Sequence, residues 1–308
     1  MILNDIKQKF KLINAYEDWK DYRQLLTDMV IDAGGDDRSK TVAVIDAGYC
    51  NDIDINRLCG HFKEILLLDC DVEALEKVKK DLKEAEAEKI VTVSASLTGI
   101  EESDISAFFD DTLAELQRYG KQLTGRSFEE VLTTNLDKLQ SNMYTKEDEI
   151  LKNLPHSDIT VCNGVCSQLF SVISYFLRSL AASIPDTLFK GAFEIADKLE
   201  QMLKNCNDII VPLIVNSLLK AAGECVIFGN EYSKEHPVEG AYQCIEAVAK
   251  SGRAVKEYEA KWNFNRIENI VYNMLLQVCF INGNRGKILN ARYNTEYIEK
   301  ELNDEKNY

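Results

Sequence analysis

The sequence has few residues that break regular structure and few that could bind a metal ion. Its 308 residues include only 4 Pro, 15 Gly and 3 His, while 45% are hydrophobic. This composition excludes a disordered, collagen-like or linker-dominated chain. The histidines His61, His156 and His236 lie far apart, and no cysteine pair has the CxxC spacing of a zinc site. We therefore predict a helix-rich globular protein with no metal centre.

Positive charge is also scarce. There are 36 Lys and Arg residues against 51 Asp and Glu, a formal net charge of -15. Such a field repels a phosphate backbone and argues against a nucleic-acid partner. No apolar run approaches the length of a membrane span, and the N-terminus has no apolar signal region. The nine cysteines lie mostly in apolar segments, which favours free thiols in a reducing compartment. We expect a cytoplasmic protein without a membrane partner.

Apolar runs alternate with helical patterns along the chain. The runs at 41–48, 64–71, 89–99 and 157–170 are typical of strands buried on both faces of a parallel sheet, and 223–233 predicts a fifth. Segments 255–265 and 272–283 have no full helix between them, which favours an antiparallel hairpin. The predicted fold is α/β: a Rossmann-like, mostly parallel seven-stranded sheet with a C-terminal antiparallel hairpin and added helices.

Three chain segments follow from this pattern. Residues 1–38 form an N-terminal helical segment, 39–285 the Rossmann-like domain, and 286–308 a C-terminal tail. Helical insertions are expected at about 100–154 and 184–207. Asn205 and Asn207 predict a break between helices 186–205 and 208–222. The insertions either form a lid that shapes a pocket for a small molecule or a short peptide, or they only widen the core or make a homodimer interface, and both alternatives stay open.

Acidic residues and a glycine follow the first two predicted strands. Asp46 and Gly48 end the first strand, and Asp69 ends the second. In a doubly wound sheet, the carboxyl ends of these strands form the crevice for a nucleotide-like ligand. Gly48 would let the backbone approach that ligand, and a carboxylate at the second strand can accept ribose hydroxyls. The alternative is that these residues only form turns and caps.

The region after the first strand distinguishes between two cofactor classes. A dinucleotide fingerprint requires GxGxxG, but Cys50 and Ile53 occupy the later glycine positions. Asp46 is better placed for an ammonium group than for phosphates. Asp52 is a candidate N-cap for the next helix. The sequence therefore argues against a nicotinamide dinucleotide.

These segments resemble the class I S-adenosylmethionine-dependent methyltransferases. VAVIDAGYCND resembles their motif I and EILLLDCDVEAL their motif II, and VTVSASLTG, SDITVCNGVCSQL and GECVIFGNEYS extend the likeness loosely over 40–283. Cys50 replaces the usual second glycine, and Ser96 stands where an acid is often found. The resemblance implies S-adenosylmethionine as cofactor and these binding residues: Asp46 for the methionine ammonium, Gly48 for backbone approach, Asp69 for the ribose, Ser96 near the adenine, and Asn163 near the transferred methyl or substrate, together with Ala47, Tyr49, Cys50, Cys70, Leu97 and Gly164.

The sequence leaves the acceptor and the catalytic residues unassigned. The fourth strand ends in CNGV at 162–165 rather than in an NPPY-type motif, which disfavours adenine or glutamine methylation. Gln168 and His236 are candidate substrate contacts. The leading hypothesis is direct in-line methyl transfer to a small molecule. Alternatives are a non-catalytic cofactor-binding or scaffold protein of the same fold and, with less support, an NAD(P)-dependent oxidoreductase.

Overall fold

The computed structural model describes residues 2–10, 14–152, 154–233, 235–265 and 271–281. The predicted tail 286–308 lies outside these residues. The strands are β1 (Thr41–Ile45), β2 (Glu64–Asp69), β3 (Ile90–Ser94), β4 (Ser157–Asn163), β5 (Ala222–Tyr232), β6 (Ala254–Asn265) and β7 (Val271–Phe280). The helices are α1 (Ile2–Phe10), α2 (Ala15–Asp18), α3 (Lys20–Gly34), α4 (Ile55–Cys59), α5 (Val72–Lys80), α6 (Glu84–Ala87), α7 (Glu102–Tyr119), α8 (Gly125–Lys152), α9 (Ser171–Ser183), α10 (Ala192–Ala221) and α11 (Ala241–Lys250), with a 3₁₀ turn at Gly120–Gln122.

The strands form one seven-stranded sheet in the order β3-β2-β1-β4-β5-β7-β6. The first five strands in this order are parallel, whereas β7 runs antiparallel to both β5 and β6. Because the chain leaves β1 toward β2 and later returns to β4 on the other side, the direction of winding reverses between β1 and β4. The predicted α/β fold with its C-terminal antiparallel hairpin is confirmed.

Alternate residues of the central strands enter two different hydrophobic clusters. In β1, Ala43 and Ile45 belong to one cluster and Val42 and Val44 to the other. The same alternation holds along β2. Both faces of the sheet are therefore covered, which explains why these strands read as continuous apolar runs in the sequence. All nine cysteines are free, and all but Cys70 are buried, as their apolar surroundings predict.

The insertions between strands form a helical layer on one side of the sheet. Helix α7 packs on α8, and α10 packs on α8, α9 and α11. The predicted break at Asn205 and Asn207 is wrong, because α10 continues through it to Ala221. Buried residues such as Leu203, Cys206 and Ile210 keep one apolar face across the polar stretch, so packing overrides the local preference. Within the described residues, no helix combines the length and apolar character needed to cross a membrane.

Helix α3 connects the N-terminal region to the loop that follows β1. Its residues Leu26, Met29 and Val30 are buried in the cluster that also contains Val42 and Val44. The fully buried Thr27 hydroxyl donates to the Arg23 carbonyl at 2.7 Å. It also accepts the Asp54 backbone N–H at 2.9 Å. One side chain thus fixes the loop against the helix.

We predict that Thr27→Val lowers the free energy of unfolding by about 1–3 kcal/mol, because the Asp54 N–H loses its acceptor in a buried place. Urea unfolding followed by circular dichroism measures the change. Thr27→Ser is the matched control, since it keeps the hydroxyl and removes only a methyl group. If Thr27→Val unfolds at the same urea concentration as the unmodified chain, the hydroxyl does not hold the loop.

Candidate functional site

The loop between β1 and α4 forms the centre of the candidate site. Asp46, Gly48 and Cys50 all have positive φ angles, at 53°, 49° and 53°. A residue with a side chain avoids this left-handed region at a cost of about 1–2 kcal/mol. A Cβ built on Gly48 would meet no heavy atom within 4 Å. The backbone at Gly48 is therefore open to a ligand that approaches the carboxyl ends of β1 and β4.

Asp69 holds this loop from the end of β2. Its Oδ2 accepts the Gly48 backbone N–H at 2.7 Å, and its Oδ1 accepts the Asp71 N–H at the same distance. The residue is only 5% exposed. Each carboxylate oxygen keeps a second lone pair, so Asp69 can accept further hydrogen bonds from hydroxyl groups on its crevice side. The carboxylate predicted to bind a ribose is also the group that fixes the turn.

Three carboxylates lie close together in the crevice. Solvent reaches Asp46, but the surrounding protein removes part of its hydration. This loss of hydration, together with repulsion from Asp69 and Asp52, raises the pKa of Asp46 to about 7. Burial also raises the pKa of Asp69, against the effect of its two backbone N–H donors. The pKa of Asp52 is raised by burial, and its hydrogen bond to Asn163 opposes the rise. This arrangement favours a cationic ligand group.

Asn163 at the end of β4 is held at both ends of its amide. Its Oδ1 accepts the Tyr22 hydroxyl at 2.5 Å, and its Nδ2 donates to Asp52. Asn163 pairs with Gly229 of β5, and a Cβ at Gly229 would lie 1.8 Å from Oδ1. Burial and the charge of Asp52 raise the pKa of the Tyr22 hydroxyl well above its ordinary value. Tyr22 therefore stays protonated and acts as the donor that orients the amide.

Arg23 is the cation that holds the loop from α3. Its Nη1 donates to the carbonyls of Tyr16 and Asn51, at 2.5 and 2.9 Å, and the guanidinium stacks 3.5 Å from the centre of the Tyr16 ring. Only 6% of Arg23 is exposed. Its charge also favours the ionised form of Asp52. Arg23 thus balances part of the negative charge from beneath the loop.

The sequence did not indicate the roles of Tyr22, Arg23 or Gly229. Tyr22 lies on the helical face that also carries buried Leu26, which is the one available signal. The predicted cap at Asp52 is wrong: the N-cap of α4 is Asp54, whose side chain accepts the Arg57 N–H at 3.1 Å. Asp52 is instead drawn toward Asn163, a partner that lies far along the chain.

The other predicted residues lie in different surroundings. Ser96 is 8% exposed, and its hydroxyl lies 3.0 Å from the hydroxyl of Thr98. Leu97 is buried in the hydrophobic cluster that also contains Ala43 and Ile45 of β1. Gln168 is exposed and donates to the Gly164 carbonyl at 2.7 Å. His236 is exposed, and its backbone N–H donates to Ser233.

Hydrogen bonds and charge interactions therefore connect one subset of the predicted residues. Among the described residues, they connect Asp46, Gly48, Asp69 and Asn163 to one another through Asp52. Within the described residues, no hydrogen bond joins Ser96 or His236 to these four residues. Ala47 and Cys50 are buried within the loop, Tyr49 is exposed on it, and Cys70 is half-buried beside Asp69.

Comparisons with known proteins find similarity only at the level of structure. No protein-family model matches the chain, and no curated protein does. One similar structure is a magnesium protoporphyrin IX methyltransferase from Synechocystis PCC 6803 with bound SAM. The superposition covers 87% of this chain and 85% of that chain, with 11% sequence identity and a TM-score of 0.43. For a SAM-dependent methyltransferase from Aquifex aeolicus, the superposition covers 90% of this chain and 98% of that chain, with 8% sequence identity and a TM-score of 0.41. For an rRNA methylase from Streptococcus thermophilus, the superposition covers 84% of this chain and 97% of that chain, with 12% sequence identity and a TM-score of 0.38.

The sheet itself carries the assignment of the fold. Five parallel strands in the order β3-β2-β1-β4-β5 are followed by an antiparallel pair, β7 and β6. This is the arrangement that the resemblance of the motifs implies. In the order and direction of its strands, the chain has a Rossmann-like, mostly parallel seven-stranded sheet that ends in an antiparallel hairpin, as the sequence predicts.

Proposed function

We propose that this protein transfers a methyl group from S-adenosylmethionine directly to a small-molecule acceptor. One observation carries the proposal: Asp69 is hydrogen-bonded to the Gly48 N–H beside Asp46, next to the point where the winding of the sheet reverses. In open α/β sheets, ligands bind outside the carboxyl ends of the strands at this point. Asn163 flanks it from β4.

The side chains around the crevice fit the chemical groups of this cofactor. Asp46 is solvent-accessible and lies where a carboxylate can pair with an ammonium group. Asp69 has lone pairs left to accept hydroxyl hydrogens from a ribose. The space around Gly48 admits close approach to the backbone. A cofactor with an ammonium, a diol and a sulfonium would therefore find hydrogen-bond acceptors and negative charge at Asp46, Asp52 and Asp69.

When bound, the cofactor would supply an electrophilic methyl group on a sulfonium, whose sulfur leaves as a neutral thioether. The protein's task is then to bind, orient and exclude water, and such positioning can account for about 7–11 kcal/mol of a barrier. Asp46 would hold the ammonium end of the cofactor and Asp69 its ribose hydroxyls. Asn163, fixed by Tyr22 and Asp52, presents its remaining amide hydrogen and lone pair to the acceptor.

Two features support a small acceptor. The net charge of -15 opposes binding of a polyanion such as RNA. The helices α7 to α10 pack into a layer on one side of the sheet, and such a layer could cover a compact ligand at the sheet edge. A non-catalytic protein of the same fold is the second candidate, favoured by Ser96 at a position where the motif often has an acid and by the large helical insertions. Cofactor binding without turnover on small molecules would identify it.

The first prediction from this proposed function concerns cofactor binding. We expect both S-adenosylmethionine and S-adenosylhomocysteine to bind, and Asp69→Asn to weaken both by at least about tenfold, because an amide nitrogen repels one of the two backbone N–H donors. Isothermal titration calorimetry measures the affinities, with NADH as a comparison ligand.

Asp158→Asn is the matched control for this experiment. Asp158 also accepts a backbone N–H, from Thr41 at 2.7 Å, but it lies at the opposite end of the sheet. We expect this variant to bind as the unmodified chain does. Absence of heat with both ligands at high protein concentration would overturn the assignment, and saturable NADH binding would favour the oxidoreductase.

The second prediction concerns pH. An ammonium group favours ionised Asp46, whose pKa in the free protein is raised to about 7. Affinity for both ligands should therefore rise by roughly tenfold between about pH 5.5 and 7.5 as Asp46 loses its proton. Asp46→Asn should bind weakly and without this pH dependence, while Asp158→Asn should keep it. A flat profile in the unmodified chain would contradict the role of Asp46.

The third prediction concerns Tyr22. Tyr22→Phe removes the donor that orients Asn163, so methyl transfer should slow by about tenfold while cofactor affinity changes less than about twofold. Release of S-adenosylhomocysteine, measured across amine, hydroxyl and carboxylate acceptors and with RNA, gives the rate. Tyr119→Phe makes the same change at an exposed position of α7 and should leave it unaltered. Turnover with RNA alone would overturn the small-molecule acceptor.

A further inference from the structure

A second cavity lies between α7 and α8, in the insertion that follows β3. Its volume is about 140 Å³. Helix α7 contributes Asp104, Phe108 and Asp111 to its lining, and α8 contributes Asn135, Lys138 and Leu139. These residues are not among those that form the crevice at the carboxyl ends of β1 and β4.

Asn135 is the unusual residue of this cavity. It is only 2% exposed, and its Oδ1 accepts a hydrogen bond from Lys138 Nζ at 3.0 Å. Its Nδ2 has no hydrogen-bond partner among the described residues. Buried donors in native proteins are nearly always paired, and this one belongs to a residue of the cavity lining, so a ligand acceptor toward which the amide turns would satisfy it.

The lining groups are separated by charge. Lys138 and Asn135 offer hydrogen-bond donors, which suit a carboxylate. Asp104 and Asp111 offer negative charge, which suits an ammonium group. Phe108 and Leu139 supply an apolar wall for a short carbon chain between the two. A purely cationic ligand would leave the Asn135 donor unpaired, and a purely anionic one would meet the two carboxylates.

We propose that this cavity binds a small zwitterionic amino acid, with its carboxylate at Asn135 and Lys138 and its ammonium toward Asp104 and Asp111. The size of the cavity limits the ligand. A cavity of about 150 Å³ holds a benzene molecule, so this one holds about six to eight non-hydrogen atoms. Amino acids such as valine or 4-aminobutyrate meet this limit, and nucleotides do not.

The test uses the full chain and four probes of similar size. L-valine and 4-aminobutyrate carry both charges, butyrate carries only the carboxylate, and n-butylamine carries only the ammonium. Isothermal titration at constant ionic strength should show at least one zwitterion binding about tenfold more tightly than either singly charged probe. The proposal is overturned if neither zwitterion binds at millimolar concentration, or if n-butylamine binds equally well.

Variants separate a ligand site from a purely structural role. Asn135→Leu and Lys138→Met should each weaken zwitterion binding by at least about tenfold. Lys121→Met, at an exposed lysine of the 3₁₀ turn outside the cavity, is the matched control. Asn135→Leu also removes the unpaired donor, so its melting temperature without ligand should equal or exceed that of the unmodified chain. A lower melting temperature with unchanged zwitterion affinity would assign Asn135 a structural role and overturn the proposal.

Discussion

The Asp69 carboxylate is the group on which the crevice depends. By accepting the Gly48 and Asp71 N–H groups, it joins the loop after β1 to the end of β2. That loop holds two residues with side chains, Asp46 and Cys50, in the left-handed region. Such a conformation persists only where surrounding contacts determine it. The buried carboxylate supplies one of these contacts through the Gly48 N–H, and Arg23 and Thr27 of α3 supply others.

The concentration of acids at this loop connects ligand binding to stability. Because the pKa of Asp46 is raised to about 7 in the folded chain, the folded state holds a proton that the unfolded state has lost above about pH 4. Stability therefore falls as pH rises through this window. A bound cation reverses the effect, because it favours the ionised carboxylate in the folded state. Without ligand, the folded state therefore loses stability in the pH range where a bound cationic ligand stabilises it most.

The sequence predicts features that depend on neighbouring residues and misses those that depend on contacts between residues far apart in the chain. The strands could be located because burial on both faces leaves continuous apolar runs, and Asp46, Gly48 and Asp69 could be found because each directly follows such a run. The roles of Tyr22 and Gly229 could not, since both depend on Asn163, far away in sequence. The continuity of α10 through Asn205 and Asn207 has the same origin, because packing against α8, α9 and α11 decides it.

Cys50 shows how a chain can depart from a motif and keep its geometry. The sequence suggests that a thiol at the second glycine position would project toward a bound ligand. Instead Cys50 keeps the backbone angle of a glycine, with φ of 53°, and only 4% of it is exposed. Its side chain joins Ala47 and Ile53 in the apolar cluster on the α3 side of the sheet. Burial of the thiol contributes roughly 1 kcal/mol, close to the cost of the left-handed conformation. The replacement therefore costs little stability and puts no side chain in the crevice, so Cys50 alone is not an argument against cofactor binding.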